Sequence, residues 1–567
     1  MTAPRLLSRF ARTRTRLALS LGLLLALVAA PLPWWLGTDE PHNLAAPAAP
    51  AVPRDEAAAR AEAIRTGREV LVETATSETS LTWALPDGKL RTTIHAIPQR
   101  TKNAAGQWVP IDITLTRGEK TPSGLDIRPT NPPSPVRFSR GGTADDATET
   151  LVAEVDVEGH TITYTWPGPL PEPVLDGARA LYPEVLPGVD LLVVARDAGG
   201  FGQLLIVKNR SAATIEAVRR VSYGLRSKTA VFRHDPDTGG VRVVDPIDGH
   251  EIASIPTPFA WDSAGRDPET PDAAPRTSVA TPTDVLRLSG LNGVEPGARH
   301  APMPTRLDGD GTGDARLHLD AAATGLLTEA DVRFPVFLDP TLYGDTLAWA
   351  TVYKQHPNTN TYNGTNFNNG TTVARVGYEK DTPLLTRSFW RMRFSTGLSG
   401  ATVSEVTFKV LNNHSYSCAA RPITVALTGA ISSGTTWKKQ PTWITDQETK
   451  SFAHGYNNNC KDDYVSFDVK NAVESAITNG WSNITLGMYA EDESDTQTWR
   501  KFEVAKSELR VTYNRPPKEP TDGTTSPGGA CAIGGNGITI AKTNITLSAR
   551  ATDPDGSGDL KGLRFRF

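Results

Sequence analysis

The sequence predicts a mainly β, multidomain protein: a β-rich N-terminal sandwich region, a jelly-roll-like β-sandwich, and a truncated immunoglobulin-like module. Three observations carry that expectation. Short runs alternating apolar and polar residues, such as LRTTIHAI (Leu90 to Ile97) and HTITYTW (His160 to Trp166), recur along the chain, as half-buried strands do. The 48 Gly and 43 Pro, with scattered Asp-Gly and Pro-Gly pairs, punctuate many short strands. Helical periodicity is rare, with DEAAARAEAIRTGRE (Asp55 to Glu69) and VKNAVESAITNG (Val469 to Gly480) the clear cases. The 567 residues suggest about three or four domains. A formal charge of −4 and a pI of about 6.2, with no basic patch beyond the N-terminus, give no reason to expect a nucleic-acid partner.

In chain order, residues 1–37 read as a signal peptide or anchor. Arg5, Arg9, Arg12, Arg14 and Arg16 precede the apolar run Leu17 to Ala30 and then PLPWWLG. Pro31 and Pro33 interrupt a spanning helix, and Pro31 is also poor for cleavage directly after Ala30. Either outcome implies export, with membrane contact only through this segment. Residues 38–68 follow as an Ala/Pro linker and the first short helix. Residues 69–340 form the first β-rich region, with strands such as VDLLVVAR, QLLIVKN and RFPVFLD and turns such as PDGK (Pro86 to Lys89). Within it, the Pro-, Ala- and Thr-rich stretch Asp262 to Asp284 reads as a mobile excursion between two halves.

Residues 341–513 form the second sandwich. Its most unusual stretch is PNTNTYNGTNFNNGTTV (Pro357 to Val373), with six Asn, five Thr and no charge. Alternating strands flank it, so it is expected to be a long structured loop crowning one end of the sandwich. Its Tyr362 and Phe367 suit a hydroxyl-rich ligand. Six of the twelve Trp fall in this region, either as core or as an exposed platform for sugar rings. Trp437 and Trp443 flank KKQPT, whose Pro cannot sit mid-sheet, so one of the two is expected near a loop and partly exposed. Cys418 and Cys460 either form a disulfide closing a loop of about 40 residues, valued at roughly 4 kcal/mol, or remain two buried thiols. Residues 514–530 read as a linker. Residues 531–567 read as the opening strands of an immunoglobulin- or fibronectin-like module too short to close, since such sandwiches need about 100 residues. The sequence is therefore expected to be the front of a longer protein, with the partner of Cys531 in the remainder.

Chemistry-bearing motifs are scarce. No HExxH, CxxC, G-x-S-x-G, GxGxxG or P-loop occurs, so no catalytic or metal residue is assigned. His250 and Glu251 read as part of a solvated hairpin. Glu491, Asp492, Glu493 and Asp495 cluster, but glycosidases need two carboxylates held about 5 or 6.5–9.5 Å apart, which adjacency on a loop does not supply. DPDGSGDLKGLR (Asp553 to Arg564) and the stretch from Asp308 to Leu319 imitate calcium loops, yet carry Arg564 and Leu319 where the bidentate Glu belongs. Tight Asp-Gly turns explain both. No cofactor is expected, with Ca2+ at such a loop the alternative.

The second region resembles the DNRLRE domain, related to archaeal disaggregatase repeats and to an alginate-binding carbohydrate-binding module. The ordered series that carries the resemblance is PNTNTYNG, ARVGYE, RSFWRMRF (Arg387 to Phe394), TTWKKQPTW (Thr435 to Trp443), FDVKNAVESAITNGW and ITLGMYAEDES (Ile484 to Ser494). The literal hexapeptide of the family name is absent, and the Cys pair resembles only the actinobacterial branch. The first region is similar to the front end of large secreted actinobacterial proteins, through LYPEVLPGVDLLVVA, GFGQLLIVKN, TPFAWDSAG and RFPVFLDPT. The resemblance implies a non-catalytic, exported, modular surface protein with adhesive domains, whose partner is a polysaccharide or cell-wall glycan outside the cell. Tyr362, Phe367, Trp437 and Trp443 are the expected contacts. The alternatives are the scaffold front end of a YD-repeat polymorphic toxin or wall-associated delivery protein and, third, a polysaccharide-degrading enzyme.

Overall fold

The computed structural model describes residues 53–265, 276–277, 279–291, 293–344, 349–364, 367, 372–380, 383–394, 398–530, 539 and 541–553. The signal or anchor and most of the Ala/Pro linker fall outside these residues. So do Cys531, most of the incomplete module and all but Asp553 of the second calcium-like loop.

Most of the alternating runs of the first region fall into two large antiparallel sheets. One has eight strands, from Thr305–Asp308 at one edge to Asp112–Arg117 at the other; the second has seven, from Val174–Asp176 to His300–Pro302. They pack face to face around one apolar core, in which Tyr164 and Tyr223 of the first sheet meet Phe201 and Leu205 of the second. Val189–Ala195 and Phe201–Val207 are almost wholly buried, not alternating. Their sheet is covered on both faces, which is why VDLLVVA and QLLIV read as continuous apolar runs. Its second face carries Leu192, Leu204, Phe259 and Trp261 and is roofed by the helix Pro282–Leu286 together with Tyr353 and Phe367.

The described ends of the stretch Asp262 to Asp284, expected as a mobile excursion, are packed. Asp262 is buried and accepts the N–H groups of Ala264, Arg299 and Arg333. Thr281 caps the roofing helix through a capping box with Asp284. Residues 266–275 and 278 lie outside the described set.

The second region supplies nine strands of a further antiparallel system of twelve with its own core. One layer pairs Leu384–Arg393 with Asn483–Ala490, then Arg421–Thr428, then Trp443–Phe452. The other centres on Arg500–Asn514, paired with Thr402–Ser415. Val373–Glu379 passes between them: Val373 to Val376 pair with Arg500–Asn514, and Gly377 to Glu379 pair with Leu384–Arg393. The change of partner falls on Gly377, whose φ is +95° and whose Cβ, were there one, would lie 2.4 Å from the carbonyl oxygen of Thr498. Only glycine fits that corner.

The strands Val70–Leu71, Ser80–Ala84 and Leu90–His95, which the sequence places in the first region, join this second system. Leu90 to His95 pair with Glu508 to Tyr513. The helix predicted over 55–69 runs Glu56–Thr66, N-capped by Asp55 and ended by Gly67 at φ 66°. It buries Ala59 and Ala63 in the same core. Residues 514–530, read as a linker, carry Thr521–Ser526 and Gly529–Ala530, which make a three-stranded sheet with Thr546–Arg550. Ile545 and Leu547 beside it are exposed. Cys418 and Cys460 form a disulfide, Cα to Cα 5.8 Å, joining the turn before Arg421–Thr428 to the loop before Asp463–Asp468.

Candidate functional site

Strand alternation sorts the layer built on Leu384–Arg393 into two faces. Trp390, Met392, Leu486, Met488, Val425 and Leu427 point into the core. The opposite face receives Arg387, Phe389, Gly487, Tyr489, Thr424 and Thr428. Trp443, at the start of the neighbouring strand and paired with Thr428, lays its indole back across this face. Gly487 makes room for it: an added Cβ would sit 2.7 Å from Trp443 Cζ3. The indole meets Phe389 at 5.3 Å and Tyr489 edge-on at 5.1 Å and 83°. Trp443 Nε1 is buried with no hydrogen-bond partner among the described residues.

Arg387 completes the wall. Its Nε and Nη2 donate to the two oxygens of Glu493 at 2.6 and 3.0 Å, and its Nη1 donates to Gln440 Oε1 at 3.0 Å. This bidentate geometry fixes the guanidinium plane, which lies 4.9 Å from the Trp437 ring and 5.7 Å from the Trp443 ring. The result is an open groove of about 380 Å³ lined by Arg387, Trp443, Ile444, Thr445, Asp446 and Tyr489, within the ~300–1,000 Å³ of ligand clefts. Ile444 is 52% exposed at its rim. Tyr489 Oη donates to Asp446 Oδ1 at 3.3 Å. Burial, then the charges of Asp446 and Glu491, raise the Tyr489 pKa, so its hydroxyl stays protonated.

Of the four aromatics singled out in the sequence, Trp437 and Trp443 come together here, both half-buried. The other two do not. Tyr362 is 1% exposed and sits beneath the Trp pair in a small cluster with Ala350, Val352, Phe389 and Ile431. Phe367 is 8% exposed, stacks on His356 at 3.8 Å, and lines a cavity of about 140 Å³ with His300, Arg375 and Trp499. Burial holds the His356 pKa down to about 4, with help from His300.

The described part of the loop expected to crown the sandwich packs inward: Thr359 to Asn363 are buried. Asn363 at φ 50° turns the chain so that its N–H donates to Trp349 O at 2.9 Å. Asn360 Nδ2 donates to Ser433 O, and Pro357 O accepts from Lys438 N at 3.0 Å. The amides of this segment serve the loop that carries Trp437. Residues 365–366 and 368–371 are outside the described set.

Arg387, Tyr489 and Asp446 were not singled out in the sequence. RSFWRMRF and ITLGMYAEDES contain two of them, and a period-two count from the core Trp390 and Met488 puts Arg387 and Tyr489 on the outer face.

Three of the four acids in the run are spoken for: Glu493 pairs with Arg387, Asp495 with Arg421, and Asp492 accepts from Ser494. The hydrogen bond from Arg421 lowers the Asp495 pKa, and that from Ser494 lowers the Asp492 pKa, which suits neither to be a general acid. The calcium-like loop from Asp308 is a hairpin turn whose acids diverge. Asp308 bonds His318, Asp310 accepts from His234 N, and Asp314 pairs with Arg226. Asp245, Asp248 and His250 offer metal-ligand atoms within 4.8 Å of one another, with His250 already hydrogen-bonded to Asp248 and Glu158.

No family model matches the chain, and no curated protein matches it. Among solved structures it is similar to two of an exo-β-1,3-galactanase from Phanerochaete chrysosporium, one with β-1,3-galactotriose and one with galactose. In both, identity is 8%, TM-score 0.13, and the match covers 78% of this chain and 95% of the other. At that score the likeness says nothing of this chain's ligand.

Proposed function

We propose that the Trp443 groove is a carbohydrate-binding site and that the protein is a non-catalytic, extracellular, modular adhesive protein whose second region belongs with DNRLRE domains. The observation that carries the reading is the right-angled wall of Trp443 and Tyr489, held on a rigid sheet and flanked by Asp446, Thr445 and Arg387. An aromatic face matches the C–H side of a sugar ring while convergent polar groups take its hydroxyls. The Cys418–Cys460 bond supports an oxidising compartment. The full chain should bind members of a broad polysaccharide array, and Trp443→Ala should weaken that binding by about 1–3 kcal/mol, the scale of a lost aromatic anchor, with circular dichroism unchanged. A full chain that retains no glycan at all refutes the reading.

A rigid scaffold at the front of a toxin-delivery protein is the second reading. It draws on the shared core in which Tyr353 and Phe367 pack against Phe259 and Trp261, fixing the two sandwiches as one body.

A further inference from the structure

We infer that the groove selects sugars bearing a free ammonium group, a deacetylated hexosamine polymer, over N-acetylated or uronate sugars. The inference rests on the carbohydrate reading and deepens it. Its ground is the charge balance at the wall. Arg387 is the one cation lining the groove among the described residues, and it is neutralised by its bidentate pair with Glu493. Two carboxylates are left. Asp446 is exposed and bonded only to the neutral Tyr489 hydroxyl, while Glu491 accepts from Thr424 Oγ1; neither has an ion-pair partner among the described residues. Burial first, and then the charges of both carboxylates, raise the Tyr489 pKa.

Two aromatic rings meeting at a right angle beside Asp446, with the charge of Glu491 reaching Tyr489 from outside the lining, form the corner in which an ammonium is stabilised twice, by the ring faces and by opposite charge. A uronate would bring a further carboxylate against Asp446 and be repelled. An N-acetylated sugar has the ring but not the charge. A neutral hexose falls between.

The test uses the full chain at about pH 5.5, above the ordinary carboxylate range near 4, with calorimetric titration of three oligomers of equal length. These are fully deacetylated glucosamine, N-acetylglucosamine and galacturonate, with oligolysine as a charge-only probe. The glucosamine oligomer should bind about tenfold tighter than its acetylated form, an advantage of about 1.4 kcal/mol, and galacturonate should bind weakest. Asp446→Asn together with Glu491→Gln should bring the ratio close to one. Three results overturn the inference while leaving the carbohydrate reading intact: equal binding of both hexosamine forms, preference for galacturonate, or a tenfold ratio that survives in the double variant. Oligolysine binding as tight as glucosamine overturns it in favour of charge alone. Binding of no oligomer by the wild-type chain, with none on the broad array, overturns both readings.

Discussion

Replacing Gly487 by Ala tests the platform without touching any polar group. The new Cβ would stand 2.7 and 2.8 Å from Trp443 Cζ3 and Cη2 and 2.8 Å from Thr428 Cγ2. Ordinary carbon contacts lie near 3.5–4.0 Å, so the indole must lift by roughly 1 Å, because the opposing methyl sits on a fixed strand. Overpacking of this kind costs about 1–3 kcal/mol. Lifting the ring also loosens its contacts with Phe389 and Tyr489, worth about 0.5–1.5 kcal/mol each. Urea unfolding should show a loss of about 2–4 kcal/mol in the transition that reports the second core. The Trp emission should shift to the red as Nε1 meets water. Glycan affinity should fall with it. A variant with wild-type stability and emission would show that Trp443 is not seated against Gly487, and the groove as described would be wrong.

Three further outcomes follow from the packing. Non-reduced peptide mapping should recover Cys418 linked to Cys460, and Cys418→Ser should cost about 2–4 kcal/mol by the loop-closure argument; two free thiols refute the pairing. Burial, opposed by hydrogen bonds from Thr341, raises the Asp339 pKa to about 6 from 3.8. The folded state therefore binds the extra proton, and this group's contribution to stability is full below about pH 4 and lost as pH rises to about 6, by about 3 kcal/mol. Asp339→Asn should remove that part of the pH profile, seen as the wild-type minus variant difference in urea midpoints, and a difference independent of pH between 4 and 6 contradicts it. Gly377→Ala combines a left-handed φ with a backbone clash at Thr498, so it should cost at least about 3 kcal/mol and depress soluble yield; a variant as stable as wild type would place the strand crossover elsewhere.

The face of each alternating strand was legible in the sequence; the partner of each strand was not. RSFWRMRF alternates correctly, so the core Trp390 and the outward Arg387 follow from period two alone. That Arg387 would meet Glu493 and Trp437 beside Tyr489 depends on a strand pairing and two loops at least fifty residues away in sequence, and no local pattern encodes such a meeting. Tyr362 and Phe367 misled for a related reason. A polar, uncharged composition marks a loop but does not distinguish one facing water from one lodged between packed layers, where Asn and Thr satisfy backbone groups. Proline read better: the KKQPT segment does form the bend that leaves Trp437 and Trp443 half-exposed.

The pairing of Leu90–His95 with Glu508–Tyr513 reaches into biosynthesis. Ile94 leaves the ribosome 415 residues before its partner Leu509, a delay of about 20–80 s at 5–20 residues per second. The first sandwich, whose strands run from about residue 112 to 339, can close during that interval. The hairpin of Ser80–Ala84 and Leu90–His95 cannot, and it waits with one edge open to any passing strand. A truncated product beginning at residue 341 would lack this hairpin and the Glu56–Thr66 helix altogether, and the edge of Arg500–Asn514 that they cover would be left as a ready template for self-association.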